Sequence, residues 1–175
     1  MSALRLINET TFSATVNVNV TDVFNADFDI YKITVETTST TNNYLPAIRF
    51  LNTSGSLVSA SNYDEAHLEM KDNTAFTEVR ATNTSRIRIA GNGGNSAGQG
   101  TVSTVYIFNP YSSSSYSFLL EQSFVEITGS QAGQKGIGVL KQTASMGGFQ
   151  IFDQNASNAP LTGTIRTYGL RVDNG

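Results

Sequence analysis

Cysteine is absent from the 175-residue chain. That excludes disulfides, thiolate metal sites and thiol nucleophiles together, and leaves the fold to packing and hydrogen bonds. There is no tryptophan, there are three prolines, and His67 is the single histidine, so any imidazole chemistry has one residue to use. Charge is scarce as well. Charged side chains make up 14% of the residues and the net charge is −3, which offers no basic field to nucleic acid or to an anionic bilayer; neither is expected as a partner. No window approaches the ~20 apolar residues of a membrane-spanning helix. The start, "MSALRLINETTF", has neither a basic stretch followed by an apolar run nor a small-residue cleavage site, so the chain reads as made without a secretory leader. The sequons at Asn8, Asn19, Asn52, Asn83 and Asn155 then read as chance products of a chain rich in Asn, Ser and Thr.

Helical periodicity is also missing. β-Branched and aromatic residues gather instead in short runs divided by Gly, Asn and Ser. In "FSATVNVNV" (12–20) Phe12, Ala14, Val16, Val18 and Val20 alternate with polar residues, and in "IYKITVE" (30–36) Tyr31, Ile33 and Val35 share a face. Further strands are predicted at 47–52, 66–70, 86–90, 101–108, 116–127, 136–142, 148–153 and 164–172. Such spacing predicts an all-β chain: an antiparallel β-sandwich, jelly-roll-like, formed as a single domain over residues 1–175. Each strand is expected to turn its apolar side chains inward and its Thr, Ser, Asn, Arg or Lys to water.

Several stretches imitate chemical motifs. "GNGGNSAGQG" (91–100) is rich in glycine, but the sixth position from Gly91 is Ser96 and the following "TVSTVYIF" has strand character, so no helix N-terminus is available to hold a pyrophosphate. "GQKG" (133–136) lacks the Ser or Thr that follows the lysine of a phosphate loop. Both read as structural, the first as a mobile hairpin tip. "DEAH" (64–67) spells an ATPase box without the nucleotide-binding core that the box requires. On a strand, Glu65, His67 and Glu69 would share a face and could bind zinc; the preferred reading makes that face solvated, with Ala66, Leu68 and Met70 turned inward. Asn25, Asp27, Asp29 and Glu36 imitate a calcium loop, but Ile30 stands where its turn glycine belongs. No Gly-x-Ser-x-Gly elbow accompanies His67, and an acid pair for glycoside cleavage has no marker beyond the presence of acids. No catalytic residue, metal or cofactor is expected.

The segment "YIFNPYSSSSYSF" (106–118) is the one candidate binding surface. Tyr111 and Tyr116 flank Ser112, Ser113, Ser114 and Ser115, a pairing of rigid rings with small hydroxyls that could grip a sugar or a neighbouring subunit. Tyr106, Phe108 and Phe118 are expected to anchor this segment in the core.

Together with "VFNADFDIYKITVE" (23–36), "GIGVLKQTASMGGFQIF" (136–152) and the terminal "GTIRTYGLRV" (163–172), this segment resembles virion structural proteins of tailed phages, especially myophages of marine cyanobacteria. The Gly-Thr-Ile strand running into Tyr-Gly is similar to the ending of jelly-roll modules in phage tail fibres and other surface proteins. The resemblance implies a non-enzymatic protein made in the host cytoplasm and displayed on the head (as capsid decoration) or the tail. Its implied partners are copies of itself, as a homotrimer, and other virion proteins. The alternative it implies is a module that recognises host-surface glycan.

Overall fold

The computed structural model describes residues 2–73, 76–96, 98–127, 130–155 and 158–172. Twelve strands are formed among them: β1 (Ser2–Thr15), β2 (Asn17–Val20), β3 (Ile30–Ser39), β4 (Pro46–Asn52), β5 (Tyr63–Lys71), β6 (Thr77–Thr84), β7 (Ile87–Arg88), β8 (Thr101–Phe108), β9 (Ser117–Ile127), β10 (Ser130–Leu140), β11 (Met146–Asp153) and β12 (Leu161–Val172). They pair into an eight-stranded sheet, in the order β1-β12-β3-β8-β9-β10-β5-β6, and a four-stranded sheet, β2-β11-β4-β7. Every pairing is antiparallel. The two sheets form the all-β sandwich that the spacing of strand runs predicts.

The run 12–20 is two strands rather than one. The chain leaves the large sheet at Thr15, bends at Val16 and re-enters the small sheet at Asn17. Ala14 sits at φ 49°, a left-handed conformation that turns a strand out of its sheet. Phe12, Val18 and Val20 are therefore buried, whereas Ala14 and Val16 are exposed at the corner.

One continuous core joins the sheets. Phe24 lies at its centre, 4.7 Å from the ring of Tyr31, 5.8 Å from Phe149 and 6.2 Å from Phe50, and the ring of Phe50 in turn stacks on Tyr63 at 6.3 Å. Three fully buried tyrosines contribute volume and also place a hydroxyl on backbone that the sheets leave unpaired. The Tyr63 hydroxyl accepts from the Phe50 N–H (3.0 Å) and donates to the Val58 carbonyl (2.7 Å), tying the large sheet to the small one. Tyr31 accepts from and donates to the backbone of Asn25, and Tyr44 donates to the Thr37 carbonyl. Asp153, at the end of β11, accepts from the backbone N–H groups of Leu45, Asn155 and Ala159 and closes the same end of the small sheet.

Close approach of backbones demands glycine at a few positions. A β-carbon on Gly163 would stand 1.8 Å from the Glu36 carbonyl, and one on Gly148 2.1 Å from the Val20 carbonyl. Because the obstacle is backbone, no side-chain rotation relieves it. Gly163→Ala is expected to lower unfolding free energy by about 1–3 kcal/mol through overpacking. Tyr63→Phe, which strands a buried N–H and a buried carbonyl at once, is expected to cost about 1–3 kcal/mol. Urea denaturation followed by fluorescence checks both, with the m-value unchanged.

Candidate functional site

The inward face of the large sheet changes character between β8 and β5. Toward β3 it is apolar, with Tyr31, Ile33, Val105 and Ile107 all buried. Toward β5 it carries Glu65, His67 and Glu69 of β5, Glu121 and Ser123 of β9, and Gln134 of β10, every one of them buried. The expected orientation of β5 is thus reversed: the acids and histidine point into the sandwich, and Ala66, Leu68 and Met70 point out. The same correction applies to the segment 106–118. Tyr106 and Phe118 lie exposed and Phe108 half-buried on the outer face, while Val105, Ile107 and Leu119 anchor the core.

The physical reason is a set of partners that single-strand alternation does not reveal. His67 lies between two carboxylates, with Nε2 3.3 Å from Glu65 and Nδ1 3.3 Å from Glu121. Glu65 also accepts the backbone N–H of Arg88 at 2.5 Å, and Glu121 accepts from the Gln134 amide at 2.5 Å. From the small sheet, the Arg88 guanidinium binds Glu69 and the Ala90 carbonyl, and Lys71 reaches Glu69 at 3.4 Å. Three acids thus face Arg88, Lys71 and the imidazolium of His67, so the cluster balances when His67 is protonated. Burial alone would pull His67 below its ordinary value, but the hydrogen bonds and charges of Glu121 and Glu65 carry it above that value. Burial would likewise push Glu65 up, yet the bonds from His67 and the Arg88 backbone, with the charges of His67 and Arg86, hold it below the usual carboxylate value.

Glycines make the room. A β-carbon on Gly136 would lie 2.0 Å from His67 Nδ1, and one on Gly138 would lie 2.7 Å from Ile87 of the facing sheet. The stretch "GQKGIG" accommodates an imidazole ring and an isoleucine rather than a phosphate. The run 91–100 is equally structural, but it is not a hairpin tip. It crosses from β7 in the small sheet to β8 in the large one, with Gly93 N–H bonded to the Tyr44 carbonyl (2.8 Å) and Gly94 N–H to the Glu126 carbonyl (3.1 Å). Gly91, Gly93 and Gly94 are buried, and the Tyr44 ring occupies the space a side chain at Gly93 would need; Ala97 lies outside the described residues.

The zinc arrangement of Glu65, His67 and Glu69 is not assembled, because Glu69 turns to Arg88 and Lys71 while Glu65 bonds His67 and the Arg88 backbone. For calcium, Glu36 is carried along β3, paired with Val102 and Thr164 and 3.4 Å from Arg166, instead of folding back toward Asp29. Among the described residues no group of three or more His, Asp or Glu side chains could hold a metal ion. Nor, among the described residues, is any helix long and apolar enough to cross a membrane.

The Tyr-Ser segment forms the loop between β8 and β9. Tyr111 and Ser112 line a surface pocket of about 260 Å³ with Asn25, Phe28, Asp29 and Asn109, so the two polar stretches singled out in the sequence meet in one place. Ser113, Ser114, Ser115 and Tyr116 are not among its walls. Ser114 bonds back to Ser112, Ser115 donates to the Tyr116 carbonyl, and Tyr116 stands exposed. Asn25, Asp29 and Asn109 are the residues that sequence reasoning did not join to Tyr111; the Asn109 N–H to Asp29 carbonyl bond (2.7 Å) brings the two loops together.

No protein family matches the chain, and no curated protein matches it.

The ionic cluster makes stability depend on pH in both directions. His67 is raised, so its contribution is complete below the ordinary histidine value and is lost as pH rises through the folded-state value. Glu65 is lowered, so its contribution is present above the ordinary carboxylate value and is lost as pH falls through the folded-state value. Denaturation midpoints measured across the acid-to-alkaline range are expected to show a plateau between these limits. His67→Ala, which leaves Glu65 and Glu121 buried without a cation between them, is expected to cost about 3–5 kcal/mol at neutral pH and to remove the fall due to His67 on the alkaline side.

Proposed function

We propose that the chain is a non-enzymatic structural component of a tailed-phage virion, a jelly-roll-type sandwich displayed on head or tail as a homo-oligomer. The observation that carries this reading is where the ionisable chemistry sits. The single histidine and three acids are sealed between the sheets, the His67 side chain has no solvent exposure, and both its nitrogens are engaged by carboxylates. Those groups hold strands together, as a durable shell protein without disulfides needs. The resemblance of 23–36, 106–118, 136–152 and 163–172 to virion structural proteins supplies the setting. Mass spectrometry and density of purified phage particles test it. The expected result is the chain in many symmetric copies on the particle exterior; its absence from purified particles would refute the assignment.

A second reading, recognition of host-surface glycan, draws on the pocket between the 25–29 and 109–112 loops. A tyrosine face bordered by two asparagines, a carboxylate and a hydroxyl can stack on one side of a sugar ring while its polar atoms bond the ring hydroxyls. On a glycan array, Tyr111→Ala is expected to weaken any binding about tenfold or more, corresponding to ~1.4 kcal/mol or above for one aromatic anchor. Tyr116→Ala, outside the pocket, should leave binding unchanged. Absence of binding by the wild-type chain would remove this reading.

A further inference from the structure

Turning the polar side chains of β5 and β9 inward leaves their apolar neighbours outside. On the outer face of the large sheet the register places Tyr106, Leu120 and Ile137 side by side on β8, β9 and β10, with Phe118 beside Leu120 along β9. Leu68 and Phe124 extend the face. Ile137 is 58% exposed and Phe118, Leu120 and Phe124 nearly half exposed. A shallow groove of about 560 Å³ runs among Phe118, Leu120, Ile137 and Ala66. A sheet with one wet face alternates apolar-in and polar-out. β5 does the reverse, with Glu65, His67 and Glu69 toward the core and Leu68 and Met70 toward water, and β9 does so at Glu121, between the exposed Leu120 and Phe124.

We propose that this outer face, centred on β9 and β10, is the surface through which the chain binds a second copy of itself by the same face; the inference rests on the homo-oligomeric reading above and names its interface. Area supports the occupant. The exposed parts of the large apolar side chains on β8, β9, β10 and β5 amount to roughly 600–800 Å², beyond the ~300–600 Å² patch that an ordinary monomer carries and close to the ~800 Å² that each partner contributes to a standard interface. Charge supports it too. Lys135 shares an outward row with Leu68 and Glu78, Lys32 and Arg80 end the row of Tyr106, Leu120 and Ile137, and Asp64 ends the row of Phe118, so both signs border one face. A surface that meets itself needs that mixture, because each copy must answer the charges of the other. The groove gives a protruding side chain such as Ile137 of the facing copy a place to seat.

Light scattering coupled to size-exclusion chromatography of the full chain, at micromolar concentrations, tests the proposal. The wild type is expected at an integer multiple of the single-chain mass, and Leu120→Asp/Ile137→Asp at the single-chain mass with an unchanged far-ultraviolet circular dichroism spectrum. A milder pair, Leu120→Ser/Ile137→Ser, guards against misfolding and should shift the assembly toward single chains as protein is diluted. Tyr111→Ala, off this face, should leave the assembly intact. Wild-type chain that is monomeric at every concentration would overturn both the interface and self-association, leaving membership of the particle to its own test. An assembly that survives both substituted pairs would overturn the interface alone and leave the homo-oligomer standing. Association seen only with lipid vesicles or other proteins, and not between copies, would also overturn it.

Discussion

The contact on which the large sheet depends is the ring of His67 held between Glu65 and Glu121. A strand alternates with a period of two, so fixing one side chain inward fixes every second one. Once His67 lies over Gly136, Glu65 and Glu69 must also face the core, and Ala66, Leu68 and Met70 must face outward. Glu121 imposes the same choice on β9, sending Phe118, Leu120 and Phe124 to the outer surface. Arg88 then couples this arrangement to the second sheet through Glu69 and through its own backbone bond to Glu65. One cluster thus sets the facing of β5 and β9 and ties both to β7.

Small residues and tyrosine hydroxyls make that choice compatible with close packing. Gly136 and Gly138 remove side chains where the His67 ring and Ile87 must lie. Toward β3 and β8 the sheets meet through rings instead, and the hydroxyls of Tyr31, Tyr44 and Tyr63 bond backbone groups both in loops, at Asn25 and Val58, and in strands, at Thr37 and Phe50. The sandwich is therefore fastened in two ways: by charge beneath β5, β9 and β10, and by aromatic packing beneath β3 and β8.

Much of this architecture was legible in the sequence, and the limits have physical causes. Spacing and residue type located the strands at 30–36, 47–52, 101–108 and 148–153, where β-branched and aromatic residues are dense. They missed β6 and most of β1, because "TEVRATNT" and "SALRLINETT" are polar edge strands whose order comes from pairing rather than burial. The break between β1 and β2 escaped because it turns on Ala14 at positive φ, with no glycine to mark it. Facing failed for β5 and β9, since alternation reports that two faces differ and not which of them is covered. The two polar signals at 25–29 and 106–118 were visible, but their meeting around Asn109 depends on a loop-to-loop bond that no local pattern encodes.

The alternative facing shows why the inversion persists. If β5 slipped by one residue, Ala66, Leu68 and Met70 would enter the core and its acids would reach water, the arrangement a solitary sandwich would favour. That slip would take Glu69 from the buried Arg88 guanidinium, Glu65 from the Arg88 backbone N–H and His67 from the buried Glu121 carboxylate. Each unsatisfied group would cost about 1–3 kcal/mol, and the charged ones more. It would also place Leu68 or its neighbours against the glycines of β10, which are spaced to receive an imidazole ring. The charged interior therefore excludes the register that would hide the apolar residues within one chain. Covering them is left to whatever meets the outer face, so the interior electrostatics and the surface available for assembly are two consequences of one choice of register.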